Sequence, residues 1–574
     1  VVAATPPDAA RCYGAGGARS VAPEERGDVR VAEAVGRALV ALGVDHAFGV
    51  IGSGNFAVVN ALHAAGARFV HARHESAAVC MADGYARVSG RVGVASCHQG
   101  PGLTNALTGF TEAAKARTPL LLLAADTSSG AVRSNFRIDQ AAAVRACGGV
   151  AERVHGPQTA MADVTRAWNI AAQQHRAVAL MLPLDAQAAE STSTAPPRLP
   201  EVATPAPPSD VVAHVVEVLA DAQRPAIIGG RGAVVAGAGP ALRRLGARVG
   251  AVLATSANGN GLFAGDDHAL GISGGFATPV AAELLASADV VLAFGATLNM
   301  WTTRHGMLVA DTALVVQVDL DAAALGTHHR ADIAIAADAG ATADALLAEV
   351  ERRGLLREGL RDAATTRRIA SGAWRHVDHD DASTADTIDP RTLSIALDDL
   401  LPPERTIAVD SGHFMGWPAM YLGVPDADGF VFNQAYQSIG LGLGAAIGAA
   451  VARPDRLAVA TLGDGGALMS LGELETAAGL DEPLLVVVYN DAAYGAEVHH
   501  FGPMGHPVDL VRFPTPDLAA YGRAAGGRGI VVRSTDDLEP LREWLDDPRG
   551  LCVVDARVTP TVVAEWLEEA FRAH

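Results

Sequence analysis

"TLGDGGALMSLGELETAAGLDEPLLVVVYNDAAYG", residues 461–495, decides how the chain is read. A Gly-Asp-Gly turn ends one apolar run, a helix-length segment follows, and a second apolar run closes on Asn490–Asp491. The glycines beside Asp464 permit a tight turn and let backbone N–H groups approach an anion closely. A helix starting near Leu468 would direct the positive end of its dipole to the same place. Parallel α/β sheets bind ligands at the carboxyl ends of their strands, and Asp464 and Asp491 both fall there. Two acids at a phosphate-binding turn make sense with a cation between them and the phosphates, an arrangement typical of Mg²⁺. Alone, the turn would be an ordinary one with Asp464 as an N-cap. The strand–helix–strand spacing makes the pair a metal–diphosphate site.

The rest of the chain provides the setting. Its 574 residues hold about three to four domains. Short apolar runs alternate with amphipathic helical patterns throughout, which predicts α/β architecture with doubly wound parallel sheets. Candidate strands are DHAFGV, RFVHA, VGVASC and PLLLLAA in the first part. PAIIGG, VVLAFG and ALVVQVDL follow in the middle, then TIAVD, LAVATLGD, LLVVVYN and LCVVDARV in the last. The Pro/Ser/Thr-rich stretch 191–209 and the polar stretch 376–390 read as connections. They give domains at 29–190, 210–350 and 387–574 after an N-terminal extension, 1–28. That extension lacks the apolar core of a secretory signal. Asp410, like the two acids already named, falls at the carboxyl end of a candidate strand.

A formal charge of −20 without a basic cluster argues against nucleic acid as a partner. The apolar runs are far shorter than the roughly 20 residues of a membrane span. Five scattered cysteines without a CxxC fit reduced thiols, and a cytoplasmic location is the expectation.

The Gly-Asp-Gly, helix, strand and Asn-Asp series resembles the diphosphate motif of thiamine-diphosphate enzymes. It is closest to their acetolactate synthase-like branch, and the resemblance covers nearly the whole chain past residue 29. It implies three domains: pyrimidine-binding, central and diphosphate-binding. It also implies a Mg²⁺ ion held by Asp464, Asp491 and the carbonyl of Ala493. Gly463, Gly465, Gly466, Ala467, Tyr494 and Gly495 would surround the cofactor. Asp491 stands where Asn is commoner, which keeps an oxygen ligand and adds charge.

Other segments extend the resemblance. In ARFVHARHESAAVCMADGYARVSG (67–90), Glu75 matches the glutamate that hydrogen-bonds the aminopyrimidine ring, whereas His71 and His74 read as packing or hydrogen-bonding residues. CHQGPGLTN (97–105) resembles the synthase loop lining the active site, with His98 and Gln99 as substrate contacts in place of small residues. IGSGN (51–55) resembles the glycine-rich loop of the same domain. NQAYQSIGLGLGAAIGAA (433–450) puts Ile439 where an apolar residue props the bent cofactor, with backbone at Gln437 and Ile439 against the pyrimidine. VDSGHFMGWP (409–418) resembles the segment closing over the diphosphate, through Gly412, His413 and Phe414.

AAYGAEVHHF (492–501) points both ways. Glu497 sits at the position of a decarboxylase glutamate, and His500 at that of a synthase tryptophan that sets acceptor preference. Otherwise Glu497 is a helix-surface residue and His499–His500 a solvated pair. In the middle, IIGGRGAVVAGAG (227–239) does not fit GxGxxG and GATLNMW (295–301) lacks the Arg-Phe-Asp-Asp run associated with FAD, so FAD is not expected. The resemblance implies a carboligase that decarboxylates a small 2-oxo acid such as pyruvate and passes the acyl unit to a carbonyl acceptor. The alternatives are a non-oxidative 2-oxo acid decarboxylase and a catalytically silent assembly subunit. A homodimer or homotetramer with active sites between subunits is the implied assembly.

Overall fold

The structure, a computed structural model, describes residues 29–570 except 194, 196, 197 and 201. The extension 1–28, with Cys12, lies outside them. Three six-stranded sheets are wholly parallel. The first contains β1 (His46–Gly49), β2 (Arg68–His71), β3 (Gly93–Cys97), β4 (Leu120–Asp126), β5 (Val150–Arg153) and β6 (Ala177–Pro183), ordered β2-β1-β3-β4-β6-β5. The central sheet contains β7 (Pro225–Gly229), β8 (Val252–Thr255), β9 (Ala269–Ile272), β10 (Val290–Phe294), β11 (Leu314–Asp319) and β12 (Ile333–Ala336), ordered β12-β11-β10-β7-β8-β9. The third contains β13 (Arg405–Val409), β14 (Phe430–Phe432), β15 (Leu457–Gly463), β16 (Leu484–Asn490), β17 (Arg528–Val532) and β18 (Leu551–Arg557). Its order, β14-β13-β15-β16-β18-β17, repeats that of the first sheet.

The central strands explain the parallel arrangement. β4, β6 and β16 are buried at every residue, as strands covered by helices on both faces must be. Register then aligns their ends: Val409 pairs with Thr461, and Gly463 with Tyr489. Asp410, Asp464 and Asp491 therefore emerge together along one edge of the third sheet.

The first and third domains share a core through the helices Glu75–Ser89 and Gly442–Ala452. Their backbones come so close that a Cβ on Gly448 would lie 1.9 Å from the Met81 carbonyl, and one on Gly84 2.2 Å from that of Ala445. Only glycine allows this approach. The central domain has its own core on each face of its sheet. The helix Ala363–Ser371 adds Ile369 to one of them. Among the described residues no helix is long and apolar enough to cross a membrane.

One local expectation shifts. The helix after the Gly-Asp-Gly turn starts at Asp464 rather than near Leu468, and the helix-length segment is two short helices, Asp464–Met469 and Glu473–Ala478. Starting at Asp464 puts Gly465, Gly466 and Ala467 in the first turn, where their N–H groups have no intrahelical partner.

Candidate functional site

Asp464 is 2 % exposed. Its carboxylate accepts from the Gly465 amide at 2.7 Å and, across the gap to the end of β16, from the Ala492 amide at 2.7 Å. Asp491 accepts from the Ala493 amide at 3.2 Å. Ala492 holds a left-handed φ of 57°, unusual for a side chain with a Cβ, so the loop is bent sharply around Asp464. Burial pushes both acids up: Asp464 to about 8, with the Asp491 charge adding to the effect, and Asp491 to about 6, with Arg512 opposing. A buried acid facing a half-buried one, both held above the usual carboxylate range, is a donor set suited to a cation. Among the described residues no three His, Cys, Asp or Glu side chains form a metal cage, so the remaining ligands would be backbone or ligand oxygens. The turn is closely packed: a Cβ on Gly465 would meet the Tyr494 ring at 2.6 Å, and one on Gly495 the Asp491 carboxylate at 2.5 Å.

Asp410, fully buried, braces the neighbouring loop. It accepts from the amides of Gly440, Leu441 and Gly442 at 2.8, 3.0 and 3.1 Å and so caps the helix Gly442–Ala452. Burial raises it to about 6 despite these bonds. Ile439 and Gln437 precede this cap, and Ser411 donates to the Gln437 carbonyl at 3.3 Å. A cavity of about 1760 Å³ collects Asp464, Asp491, Ala493, Tyr494, Gly495, Gln437 and Ile439, with Gly412, His413 and Phe414 on another wall. Phe414 stacks on Tyr489, ring centres 5.6 Å apart.

The C-terminal segment closes one side. The backbone N–H of Ala564 donates to Nε2 of His413 at 2.9 Å, so that nitrogen is occupied and the ring proton lies on Nδ1. Burial, with His499 adding, pushes His413 down to about 3. Trp566 lines the cavity and packs on Phe276 and Trp301. Glu497 is exposed and also lines the cavity. His500 instead packs edge-on against Phe501, whereas His499 is half-buried with its ring 4.4 Å from that of His413.

Glu75, His98 and Gln99 form a separate cluster in the first domain, away from this cavity's lining. Glu75 is 9 % exposed, begins the helix Glu75–Ser89, and accepts from Asn105 at 3.0 Å. His98 bonds Ser53 at 3.2 Å and packs against Phe136. Gln99 is buried against Gly54 with its side-chain oxygen unpartnered. His74 caps its own helix by accepting from Ser76, and the exposed His71 ring packs edge-on against Phe69 while its carbonyl accepts from Thr476. The sequence offered no motif for Asn105 as a Glu75 partner, for Trp566 as a cavity wall or for Glu112, whose amide contacts to Ala435 and Tyr436 are 323 and 324 residues away.

Three family models match along the chain. They are the thiamine pyrophosphate enzyme N-terminal TPP binding domain at 29–150, central domain at 212–346 and C-terminal TPP binding domain at 410–556. A probable 2-ketoarginine decarboxylase, AruI, of Pseudomonas aeruginosa is 30% identical over 89% of this chain and 90% of its own. A sulfoacetaldehyde acetyltransferase of Rhodobacter capsulatus is 28% identical over 90% of this chain and 91% of its own. An acetolactate synthase large subunit of Parasynechococcus marenigrum is 30% identical over 91% and 85%.

Proposed function

Because the chain belongs to the thiamine pyrophosphate enzymes and is an enzyme of acetolactate synthase-like type, we propose that it is a magnesium-dependent carboligase. Its donor is a small 2-oxo acid such as pyruvate, and its acceptor a second carbonyl compound. The observation that carries this reading is the pairing of buried Asp464 with half-buried Asp491 at the glycine turn. Asp464, Asp491 and the Ala493 carbonyl would hold the magnesium ion, and the first-turn amides of Gly466 and Ala467 would be left for the diphosphate, since that of Gly465 donates to Asp464. Ile439 props the cofactor, with backbone at Gln437 beside it. When bound, thiamine diphosphate would supply a nucleophilic thiazolium carbon to attack the 2-oxo acid and a cationic ring to take up the electron pair released with CO₂.

Glu75 would hydrogen-bond the aminopyrimidine of a site completed by a second subunit, so a homodimer is the smallest active form and a homotetramer fits as well. Exposed apolar side chains support this assembly: Ile51, Phe56 and Phe136 near the Glu75 cluster, and Met469 and Tyr494 beside the diphosphate turn. His98 and Gln99 then face the substrates. Holding donor and acceptor in one closed pocket raises their effective concentration and favours ligation.

A second reading, non-oxidative decarboxylation, has Glu497 in its favour, since it lines the cavity where a proton donor would act. Incubation with pyruvate and a 2-oxo acid or aldehyde acceptor, followed by product analysis, separates the two. Acetolactate or a mixed ligation product is expected; free acetaldehyde alone would replace ligation with decarboxylation. Absence of CO₂ release across a panel of 2-oxo acids would instead indicate a catalytically silent subunit.

A further inference from the structure

Residues 433–440 connect β14 to the Asp410 cap without regular structure, and Gln437 within them has a left-handed φ of 61°. Such a segment must have its backbone polar groups satisfied from outside. The Ala435 and Tyr436 amides find the same group: both donate to the carboxylate of Glu112, at 3.1 and 2.7 Å. Glu112 is on the helix Pro101–Lys115 of the first domain and is completely buried.

A buried carboxylate requires a counter-charge, and Arg87 supplies it. Its guanidinium bonds Glu112 at 3.0 Å and Asp83 at 2.9 Å, and it also donates to the Phe432 carbonyl at 3.0 Å and to Asn258 at 3.3 Å. The Arg87 carbonyl in turn accepts from Arg231 at 3.1 Å. Residues of all three domains meet at Arg87, which also holds the Glu112 carboxylate that accepts from the 433–440 segment. Charge-assisted bonds to two successive amides fix that segment more firmly than neutral ones would.

We propose that Glu112, held by Arg87, is a positioning residue that sets the conformation of residues 433–439 and thereby the placement of Gln437 and Ile439 for the cofactor. The part concerning the cofactor rests on the proposed function; the part concerning the loop does not. Glu112→Gln keeps the shape but removes the charge, and its amide nitrogen cannot accept, so at most one of the two amides is well satisfied. Loosening of the loop and weaker cofactor binding should follow, while chemistry at saturating cofactor is retained because Glu112 does not touch the cavity.

The test combines amide hydrogen exchange without cofactor, and thiamine diphosphate titration in excess Mg²⁺, on wild type, Glu112→Gln and Asn258→Ala. In wild type the Ala435 and Tyr436 amides should exchange slowly for a segment outside regular structure. In Glu112→Gln, exchange across 433–440 should quicken while β15 and β16 stay protected. The cofactor Kd should rise about tenfold or more, which is about 1.4 kcal/mol, with kcat at saturation within a few-fold of wild type. Asn258→Ala, which leaves Glu112 in place, should shift the same readouts in the same direction but less, and covers the case in which Glu112→Gln does not fold. Fast exchange of the two amides in wild type, or unchanged loop exchange in folded Glu112→Gln, would overturn the proposal. An unchanged Kd would overturn its cofactor part. Failure of wild type to bind thiamine diphosphate would overturn the proposed function and leave the loop result standing.

Discussion

Asp464 and Asp491 bring two carboxyl groups into one buried space, and their protonation follows from that. A folded-state pKa raised above the unfolded value of about 4 means the folded protein holds a proton that the unfolded chain has lost. Stability from such groups is full below about 4 and drains away as pH rises through about 6 for Asp491 and about 8 for Asp464. A divalent cation replaces those protons, so binding Mg²⁺ with thiamine diphosphate should raise the thermal midpoint more at pH 8 than at pH 6. An equal increase at both would contradict the metal assignment. The two acids also differ in what they hold. Asp464→Asn cannot accept from both Gly465 and Ala492 and should lose more than the roughly 10–100-fold typical of outer-shell losses in metal affinity. Asp491→Asn keeps an oxygen ligand and should cost far less, as titration of both variants would reveal.

The neutral imidazole of His413 accepts from the Ala564 amide and so helps tie the C-terminal segment to the site. Free histidine titrates near 6.5, but folded His413 lies at about 3, so its contribution is full above about 6.5 and is lost as pH falls towards about 3. Protection factors at 562–567, taken relative to the intrinsic exchange rate at each pH, should fall between pH 7 and pH 5, and in His413→Phe they should be low at both. Where the helices Glu75–Ser89 and Gly442–Ala452 meet, Gly448→Ala would push a methyl group onto the Met81 carbonyl and should cost about 1–3 kcal/mol, measured by denaturant unfolding. Elements of this length vary in how legible they are. LLVVVYN and PLLLLAA are recognisable strands because burial on both faces leaves an unbroken apolar run. Phe430–Phe432 is too short for a pattern, and β5, half-exposed at the sheet's edge, carries a mixed sequence, VAER. Asp464 and Asp491 could be read because glycine and strand ends punctuate them locally. The role of Glu112 could not, since both its amide partners lie in another domain.

At the scale of the whole molecule, the cluster Arg87–Asp83–Glu112 links the domains, and leaving its acids without the guanidinium is expensive. Arg87→Ala should lose about 3–5 kcal/mol of stability, visible as an earlier unfolding transition. Assembly can be tested without a structure. Glu75→Gln and Asp464→Asn should each be nearly inactive alone, yet mixed after dissociation they should recover roughly a quarter of wild-type activity if sites form between subunits. No recovery would place each site within one chain. The central claim is more direct: Asp464 and Asp491, one buried and one half-buried at a glycine turn, would hold a metal that clasps a diphosphate. Calorimetric titration of wild type with thiamine diphosphate, with and without Mg²⁺, tests it. The expected result is saturable heat that requires the metal and disappears in Asp464→Asn; metal-independent heat, or none at all, would contradict it.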